Sequence, residues 1–271
     1  MSISVIVLTY NRVHLLQQCV EKVLSQLSDK TSEILIWDNG SEDGTRRYLD
    51  SLEISRLSVV HSETNLGLNA YDPAIHRTTG DYIIGLDEDV IAAPAEWDRH
   101  LMEAFCELPT VGFLATNLVN NPNDVTSQIM YGKHAPLYRI EERGGVRVKT
   151  GGPVGGWCAL TSRELYSSLG GIGRRRHLAY WHWDEAYIKK IQRVGFEAAI
   201  LENVAVVHAG GEYYSAIASE KQDFWTWRER RTARRRFVKR ALLRVPGVGA
   251  LNAKFRWFEP PPSADHSRGI R

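Results

Sequence analysis

The sequence predicts an α/β protein with a mostly parallel, Rossmann-like central sheet, helices on both faces and a C-terminal helical extension. Apolar runs rich in β-branched residues alternate with stretches of helical periodicity through the first 90 residues. This alternation is typical of parallel sheets, because the crossover between two parallel strands usually contains a helix. Polar residues gather where the apolar runs end, which is where open parallel sheets bind ligands.

The first third of the chain contains four predicted strands and three helical segments. The strands are expected at 4–9, 33–37, 57–61 and 81–86. The helices are expected over 13–27, over 45–52 and within 65–80. The runs are continuous rather than alternating, which indicates strands that are covered on both faces.

The second half of the chain is less regular. Strands are predicted at 111–116 and 197–207, and a glycine-rich turn leads into a strand within 151–162. Helices are predicted at 163–169 and 183–194, whereas 117–152 predicts loops with short strands. We therefore predict one domain over 1–212, a basic amphipathic helical extension over 213–258 and a disordered tail over 259–271.

Composition excludes several classes of protein. The chain has 271 residues and a formal net charge of +2, too small for a protein that coats nucleic acid. Its three cysteines, Cys19, Cys106 and Cys158, form neither a disulfide framework nor a metal-binding spacing, which favours a reducing compartment. Neither a signal peptide nor a run of about 20 apolar residues is visible, so a cytoplasmic location is expected.

A nucleotide site is predicted at the strand ends without either common phosphate-binding loop. The first strand does not lead into G-x-G-x-x-G, and G-x-x-x-x-G-K-[ST] is absent. Asp38 is placed to accept hydrogen bonds from a base or ribose, and Tyr10 to cover a base. The alternative for residues 38–41 is an ordinary Asx turn.

Three consecutive acids, Asp87, Glu88 and Asp89, follow the fourth predicted strand. Alternate residues of an extended segment point the same way, so Asp87 and Asp89 are expected to converge. Converging carboxylates beside a nucleotide suit Mg²⁺ or Mn²⁺. The alternative is a group of solvated acids at a helix N-terminus, where the helix dipole favours them.

Six segments together resemble the inverting family 2 glycosyltransferases of the GT-A fold, over about residues 3–210. They are SVIVLTYNR, WDNGSEDGT, NLGLNA, GDYIIGLDEDV, GGPVGGWCALTSRELYSSLGGIG and WDEAYIKKIQRVGFEAAILENVAVVH. The resemblance implies a nucleotide-sugar-binding half over 1–116 and an acceptor-side half over 117–212.

The resemblance also implies roles for individual residues. Those expected to bind the donor nucleotide are Thr9, Tyr10, Asn11, Asp38 and Asp87. Asp89 and His208 are implied as ligands of Mn²⁺ or Mg²⁺, and Asp184 as the general base. Asp184 and His208 stand 24 residues apart, the spacing of the family.

The chain departs from the family pattern at several positions. Trp183 replaces a glutamate, Ala186 replaces an acid, and Asp72-Pro73 replaces an Arg-Asn pair. Two alternatives for Asp184 stay open: it caps the helix, or the neighbouring Glu185 is the base.

Four residues are expected to contact the acceptor or the transferred sugar: Gly156, Trp157, Trp183 and Glu185. The tryptophans, with Trp181, are interpreted either as a stacking platform or as packing residues.

The expected function is transfer of one sugar from a nucleotide sugar, UDP being favoured, to a glycan, lipid-linked glycan or small-molecule acceptor. A sugar nucleotidyltransferase and an inactive sugar-binding scaffold are the alternatives. Residues 228–244 carry nine basic residues and one acid, which favours peripheral contact with an anionic membrane. A helix docked on the domain or an oligomer contact is the other interpretation, and nucleic-acid binding is not expected.

Overall fold

The computed structural model describes residues 1–132, 134–173 and 183–209. The predicted extension over 213–258, the predicted tail over 259–271 and Trp181 lie outside these residues. The basic segment and its predicted membrane contact therefore stay predictions from the sequence.

Ten strands of the described chain form one central sheet in the order β3-β2-β1-β4-β9-β6-β10-β8-β7, with β5 paired to β10. In chain order they are β1 Ile3–Thr9, β2 Thr31–Asp38, β3 Leu57–His61, β4 Tyr82–Asp87, β5 Val90–Ala92, β6 Val111–Leu118, β7 Arg139–Arg143, β8 Val146–Thr150, β9 Cys158–Ser162 and β10 Glu197–His208.

The four strands predicted in the first third are confirmed, and all of them pair in parallel. Every residue of β1 is buried, as expected of a strand covered on both faces. The register places Thr9 beside Asp38, and Asp38 beside His61. Leu8 lies beside Asp87, so the polar residues that end these strands share one edge of the sheet.

The second half of the sheet is mixed rather than mostly parallel. Strand β9 runs antiparallel between β4 and β6, whereas β6 and β10 are parallel to each other. The glycine-rich segment before β9 turns the chain at the same edge where β4 ends. The backbone amide of Asp87 there donates a 2.9 Å hydrogen bond to the carbonyl of Trp157.

Seven α-helices of the described chain connect and cover the strands. They are α1 Val13–Lys22, α2 Thr45–Asp50, α3 Tyr71–Ile75, α4 Trp97–Cys106, α5 Val125–Tyr131, α6 Arg163–Ser168 and α7 Trp183–Arg193. None of the helices in this part of the chain is long and apolar enough to cross a bilayer.

Three differences from the prediction concern helices. The helix predicted over 13–27 ends at Lys22 and is followed by a 3₁₀ turn, Leu24–Gln26. Helix α4 was not predicted; its Asp98 is fully buried and accepts hydrogen bonds from Ser28 and Thr31. Helix α5 lies in the region predicted as loops and strands, and Asp124 caps it.

Candidate active site

Asp87, Asp89 and His208 come together at the edge where β4 and β10 end. One potential ligand atom from each of the three lies within 4.8 Å of the others. Strand β5 produces this meeting, because it follows the acids directly and pairs antiparallel with the end of β10. The amide of Ala209 also donates a 2.7 Å hydrogen bond to the carbonyl of Asp89.

His208 lies between two buried carboxylates. Its Nε2 is 3.1 Å from Oδ1 of Asp89, and its Nδ1 is 3.2 Å from Oδ1 of Asp124. Burial by itself would lower the pKa of His208, but Asp89 and Asp124 outweigh burial and raise that pKa well above its usual value. The two carboxylates thus favour the protonated imidazole as long as no metal ion occupies the cluster.

Glu88 and Asp89, which follow β4, are buried, and Asp87 at the end of the strand is half-buried beside them. Burial, with further contributions from Asp89, Glu88 and Asp184, raises the pKa of Asp87 well above its ordinary value. The guanidinium of Arg12 lies 3.1 Å from Glu88 and 3.4 Å from Asp89. This much buried negative charge requires nearby cations, and the guanidinium of Arg12 supplies one of them.

The three converging side chains fit a divalent cation. Two carboxylates and one imidazole form a ligand set compatible with Mn²⁺, and carboxylates alone suit Mg²⁺. Two ligand atoms of one such ion lie at most roughly 4 to 5 Å apart, and the three atoms here lie within 4.8 Å of one another. Asp89 and His208 are each only 2% exposed, so the surrounding protein restricts the orientation of both side chains.

The predicted nucleotide-binding residues lie in two loops that are bonded to each other. The amide of Asn11 donates a 2.9 Å hydrogen bond to the hydroxyl of Ser41, and Oδ1 of Asn11 accepts one of 2.7 Å from the amide of Glu42. Asn11 adopts a positive φ of 53°, which supports the tight turn after β1. The Asn11 side chain therefore joins the loop after β1 to the loop after β2.

Thr9 and Tyr10 end β1 beside these loops. The hydroxyl oxygen of Thr9 is buried and has no hydrogen-bond partner within the described ranges. Tyr10 is half-buried. Their contacts with a nucleotide stay predictions.

Asp38 is fully buried and both of its oxygens are engaged. Oδ1 accepts a 2.9 Å hydrogen bond from the amide of Ser41, three residues later, whereas an Asx turn would use the amide two residues later. Oδ2 lies 3.0 Å from Nδ1 of His61, and Nε2 of His61 lies 3.0 Å from Asp50. Direct contact between Asp38 and a base stays a prediction, and His61 is the residue that holds this carboxylate.

Asp184 lies in the first turn of α7 and faces the glycine-rich segment. Its Oδ2 accepts a 3.1 Å hydrogen bond from the amide of Gly156, and its Oδ1 accepts one of 2.7 Å from the amide of Glu185. The negative charge of Asp184 also contributes to the raised pKa of Asp87. Asp184 is a residue of the helix itself, because α7 spans Trp183–Arg193 in the described chain.

Glu185 points in a different direction from Asp184. Its side chain is 51% exposed and forms an ion pair with Lys189 one helical turn later. The geometry therefore favours Asp184 over Glu185 as the acid that faces the site.

Trp157 and Trp183, the two members of the predicted platform that lie in the described chain, pack against protein. Trp157 is 6% exposed, and its Nε1 donates a 3.0 Å hydrogen bond to the carbonyl of Thr116. The Trp183 ring lies 4.4 Å from the Tyr71 ring and 6.1 Å from that of Phe113, centroid to centroid. The packing interpretation fits Trp157, which has no open face for a sugar.

Asp72, one of the departures from the family pattern, anchors the loop that follows α6. Its carboxylate accepts hydrogen bonds from the hydroxyl of Tyr166 and from the amides of Ile172 and Gly173. Gly171 has a positive φ of 67°, and a β-carbon there would lie 3.0 Å from the Asp72 carboxylate. The aspartate therefore has a structural partner on the acceptor side of the sheet.

Arg12, His61 and Asp124 were missed as site residues. Arg12 belongs to the quoted segment SVIVLTYNR, and Asp124 precedes a stretch of helical spacing, which is the signal of an N-cap. Nothing local in the sequence connects His61 with Asp38. Their involvement follows from the register of the sheet and from contacts across long stretches of chain.

The comparisons with known proteins agree with this architecture. Residues 4–170 match the model of glycosyl transferase family 2. An uncharacterized glycosyltransferase of Bacillus subtilis, YfnE, is 33% identical over 104 residues, covering 37% of this chain and 26% of the relative. The chain thus matches about a quarter of the length of that relative.

Two solved structures are similar to the described fold. The mannosyltransferase PcManGT of Pyrobaculum calidifontis, in complex with GDP-Man and Mn²⁺, has a TM-score of 0.52 and 24% identity, covering 76% of this chain and 56% of its own. Residues 1–349 of Staphylococcus aureus TarS, in complex with UDP-GlcNAc, have a TM-score of 0.59 and 16% sequence identity. The match covers 79% of this chain and 61% of the TarS chain. At these identities the likeness shows the fold, which is that of the GT-A glycosyltransferases.

Proposed function

The chain belongs to glycosyl transferase family 2, and on that premise we propose that it is a metal-dependent, inverting glycosyltransferase. It would move a sugar from a nucleoside diphosphate donor to an acceptor hydroxyl. The observation that carries this proposal is the meeting of Asp87, Asp89 and His208 at the sheet edge where the predicted nucleotide loops also lie.

Asp89 and His208 are the proposed metal ligands, and Asp87 lies beside them to complete the donor side. A divalent cation, Mn²⁺ or Mg²⁺, would supply Lewis acidity that neutralises the departing diphosphate. Asp89 is already held by Arg12 and His208, so its carboxylate is in place before a donor arrives. Such preorganisation spares reorganisation at the moment of reaction.

The donor nucleotide is proposed to lie over the ends of β1 and β2. Thr9, Tyr10 and Asn11 would form one wall, and Asp38 would orient the loop that forms the other. The hydrogen bonds of Asn11 to Ser41 and Glu42 support a preformed cleft rather than two independent loops. UDP is the favoured nucleotide, and GDP, which PcManGT binds as GDP-Man, is the other candidate to test.

Asp184 is proposed as the general base that accepts the proton of the acceptor hydroxyl. The amide of Gly156 fixes one of its oxygens, which orients the carboxylate without neutralising it. A base on the face opposite the leaving diphosphate gives a single displacement and therefore inversion. Gly156 would thus act through its backbone, and Trp183 would support the start of α7.

The acceptor is proposed to approach over the 117–212 half of the domain. A glycan, a lipid-linked glycan and a small molecule all present the hydroxyl that this chemistry needs. The basic segment 228–244 favours an acceptor at an anionic membrane surface, through attraction of its nine cationic side chains to anionic headgroups.

A donor screen tests the proposal. UDP and GDP are each added with Mn²⁺ or with EDTA, and the unfolding temperature is measured; the nucleotide that stabilises only with Mn²⁺ names the donor. The corresponding nucleotide sugars are then assayed for hydrolysis and transfer. Release of nucleoside diphosphate that depends on Mn²⁺ supports a transferase, whereas metal-dependent binding without turnover supports the inactive scaffold. Pyrophosphate release from a sugar phosphate and a nucleoside triphosphate would identify a nucleotidyltransferase instead.

A further inference from the structure

Asp124 is a buried carboxylate that touches the proposed metal site from behind. It is 1% exposed, and its Oδ1 lies 3.2 Å from Nδ1 of His208, 84 residues later in the chain. The opposite ring nitrogen of His208 faces Asp89. The imidazole therefore has one nitrogen toward the metal cluster and the other toward Asp124.

The carboxylate of Asp124 is itself held in place. Oδ1 also accepts a 2.9 Å hydrogen bond from the amide of Thr126, and Oδ2 accepts one of 3.0 Å from the amide of Ser127. The hydroxyl of Ser127 in turn contacts the amide of Asn121 and the carbonyl of Val119. Asp124 is thus fixed between α5 and the end of β6 and cannot turn away from His208 without breaking these bonds.

A histidine binds a metal through one ring nitrogen only when the proton is on the other. A carboxylate that accepts from the second nitrogen selects that tautomer and fixes the plane of the ring. An acceptor oxygen in that place is what Asp124 provides. A simple N-cap would need no contact with His208, since the two helix amides already occupy both oxygens.

We propose that Asp124 is a positioning residue of the metal site: it accepts the Nδ1 proton of His208 and aims Nε2 at the cluster of Asp87 and Asp89. The inference rests on the proposed metal-dependent function. It also gives α5, on the acceptor side of the domain, a direct connection to the donor side. Removal of such an outer partner typically weakens metal binding about 10- to 100-fold.

The test measures Mn²⁺ affinity by calorimetry without nucleotide. Asp124→Ser keeps an N-capping oxygen for α5 but is too short to replace both contacts. The matched control is Ser162→Ala, which removes the side-chain N-cap of α6, away from the metal cluster. We expect Asp124→Ser to raise the Mn²⁺ dissociation constant about 10- to 100-fold and Ser162→Ala to leave it unchanged.

The same substitution in His208→Ala protein tests whether Asp124 acts through His208 or only stabilises the surrounding structure. In His208→Ala protein, Asp124→Ser should cause little further loss, because Asp124 acts only through the missing ring. Equal losses in both backgrounds, or wild-type affinity in Asp124→Ser, would overturn the inference. Those outcomes leave the proposed function standing as long as Asp89→Ala abolishes Mn²⁺ binding. A wild-type protein that binds Mn²⁺ neither alone nor together with UDP or GDP overturns both.

Discussion

The backbone amide of Gly156 donates a 3.1 Å hydrogen bond to Oδ2 of Asp184. This contact joins the glycine-rich segment before β9 to the first turn of α7, and it requires the two backbones to come close. A β-carbon on Gly156 would lie 2.8 Å from the Trp183 ring, so no larger residue fits without movement. The pair turns one acid of α7 toward the site, while its neighbour Glu185 pairs with Lys189 outside it.

The first prediction follows from this difference between neighbouring acids. Asp184→Asn keeps the shape of the side chain and an oxygen for the Gly156 amide, but it removes the base. We expect kcat and kcat/KM to fall together, by about 10²- to 10⁴-fold. Glu185→Gln is the matched control and should stay close to wild type. A transfer assay with a soluble acceptor decides, and the reverse pattern would identify Glu185 as the base.

The second prediction concerns the two proposed ligands. Asp89→Ala should abolish Mn²⁺-dependent binding of nucleoside diphosphate, because it removes the carboxylate at the centre of the cluster. His208→Ala should have a milder effect, since water can replace one ligand. Calorimetry with UDP in the presence and absence of Mn²⁺ measures both; full metal-dependent affinity in Asp89→Ala would rule out this ligand assignment.

The third prediction concerns His61, which links Asp38 to Asp50. His61→Ala should free the Asp38 carboxylate and disturb the Ser41 turn, so the dissociation constant for nucleoside diphosphate should rise several-fold. The other partner of His61, Asp50, has a side chain that is 63% exposed. Asp50→Ala removes only this partner and should change nucleotide binding less. Equal affinity in wild type and His61→Ala would show that Asp38 needs no support from this ring.

The fourth prediction concerns acid stability. Burial by itself would raise the pKa of Glu33, but hydrogen bonds from Thr79, Ser4 and Gly80 outweigh burial and lower it below the usual value of 4.5. A carboxyl whose pKa is lower in the folded state stabilises the protein fully above its unfolded pKa, and this contribution is lost as the pH falls through the folded pKa.

Glu33→Gln should therefore destabilise the protein at pH 6 and do so less as the pH falls below the usual glutamate pKa of 4.5. Urea unfolding at several pH values measures this difference. The exposed Glu53→Gln serves as control, and a Glu33→Gln effect that does not change with pH would contradict the explanation.

The fifth prediction concerns the basic C-terminal segment. Deletion of residues 224–271 should abolish binding to anionic liposomes at low salt and leave turnover of a soluble acceptor largely intact. Co-sedimentation of full-length and shortened protein with liposomes tests this, with neutral liposomes as control. If the full-length protein ignores anionic liposomes at low salt, the proposed acceptor at a membrane surface loses its support.

The sequence by itself determined the parallel half of the sheet and the positions of the acids. Strands β1 to β4 lie within two residues of their predicted bounds, because a continuous apolar run and the turn formers after it are local signals. The predicted convergence of Asp87 and Asp89 is confirmed, because a carboxylate oxygen of each lies within 4.8 Å of the other. Helix α4 was not predicted because its buried face includes a polar residue, Asp98. The hydrogen-bond partners of Asp98 lie about 70 residues earlier in the chain.

Tertiary structure alone decided what surrounds those acids. Arg12 meets Asp89 across 77 residues of chain, and Asp124 meets His208 across 84. Strand β9 lies antiparallel beside β4, and the glycine-rich segment that precedes β9 brings Gly156 to Asp184. Trp157, at the end of that segment, is buried. Local propensity acts over a few neighbouring residues, whereas these contacts depend on which strands pair and in what order. Strand order is selected by burial of the whole core, so the second partner of each site residue becomes visible only in the folded chain.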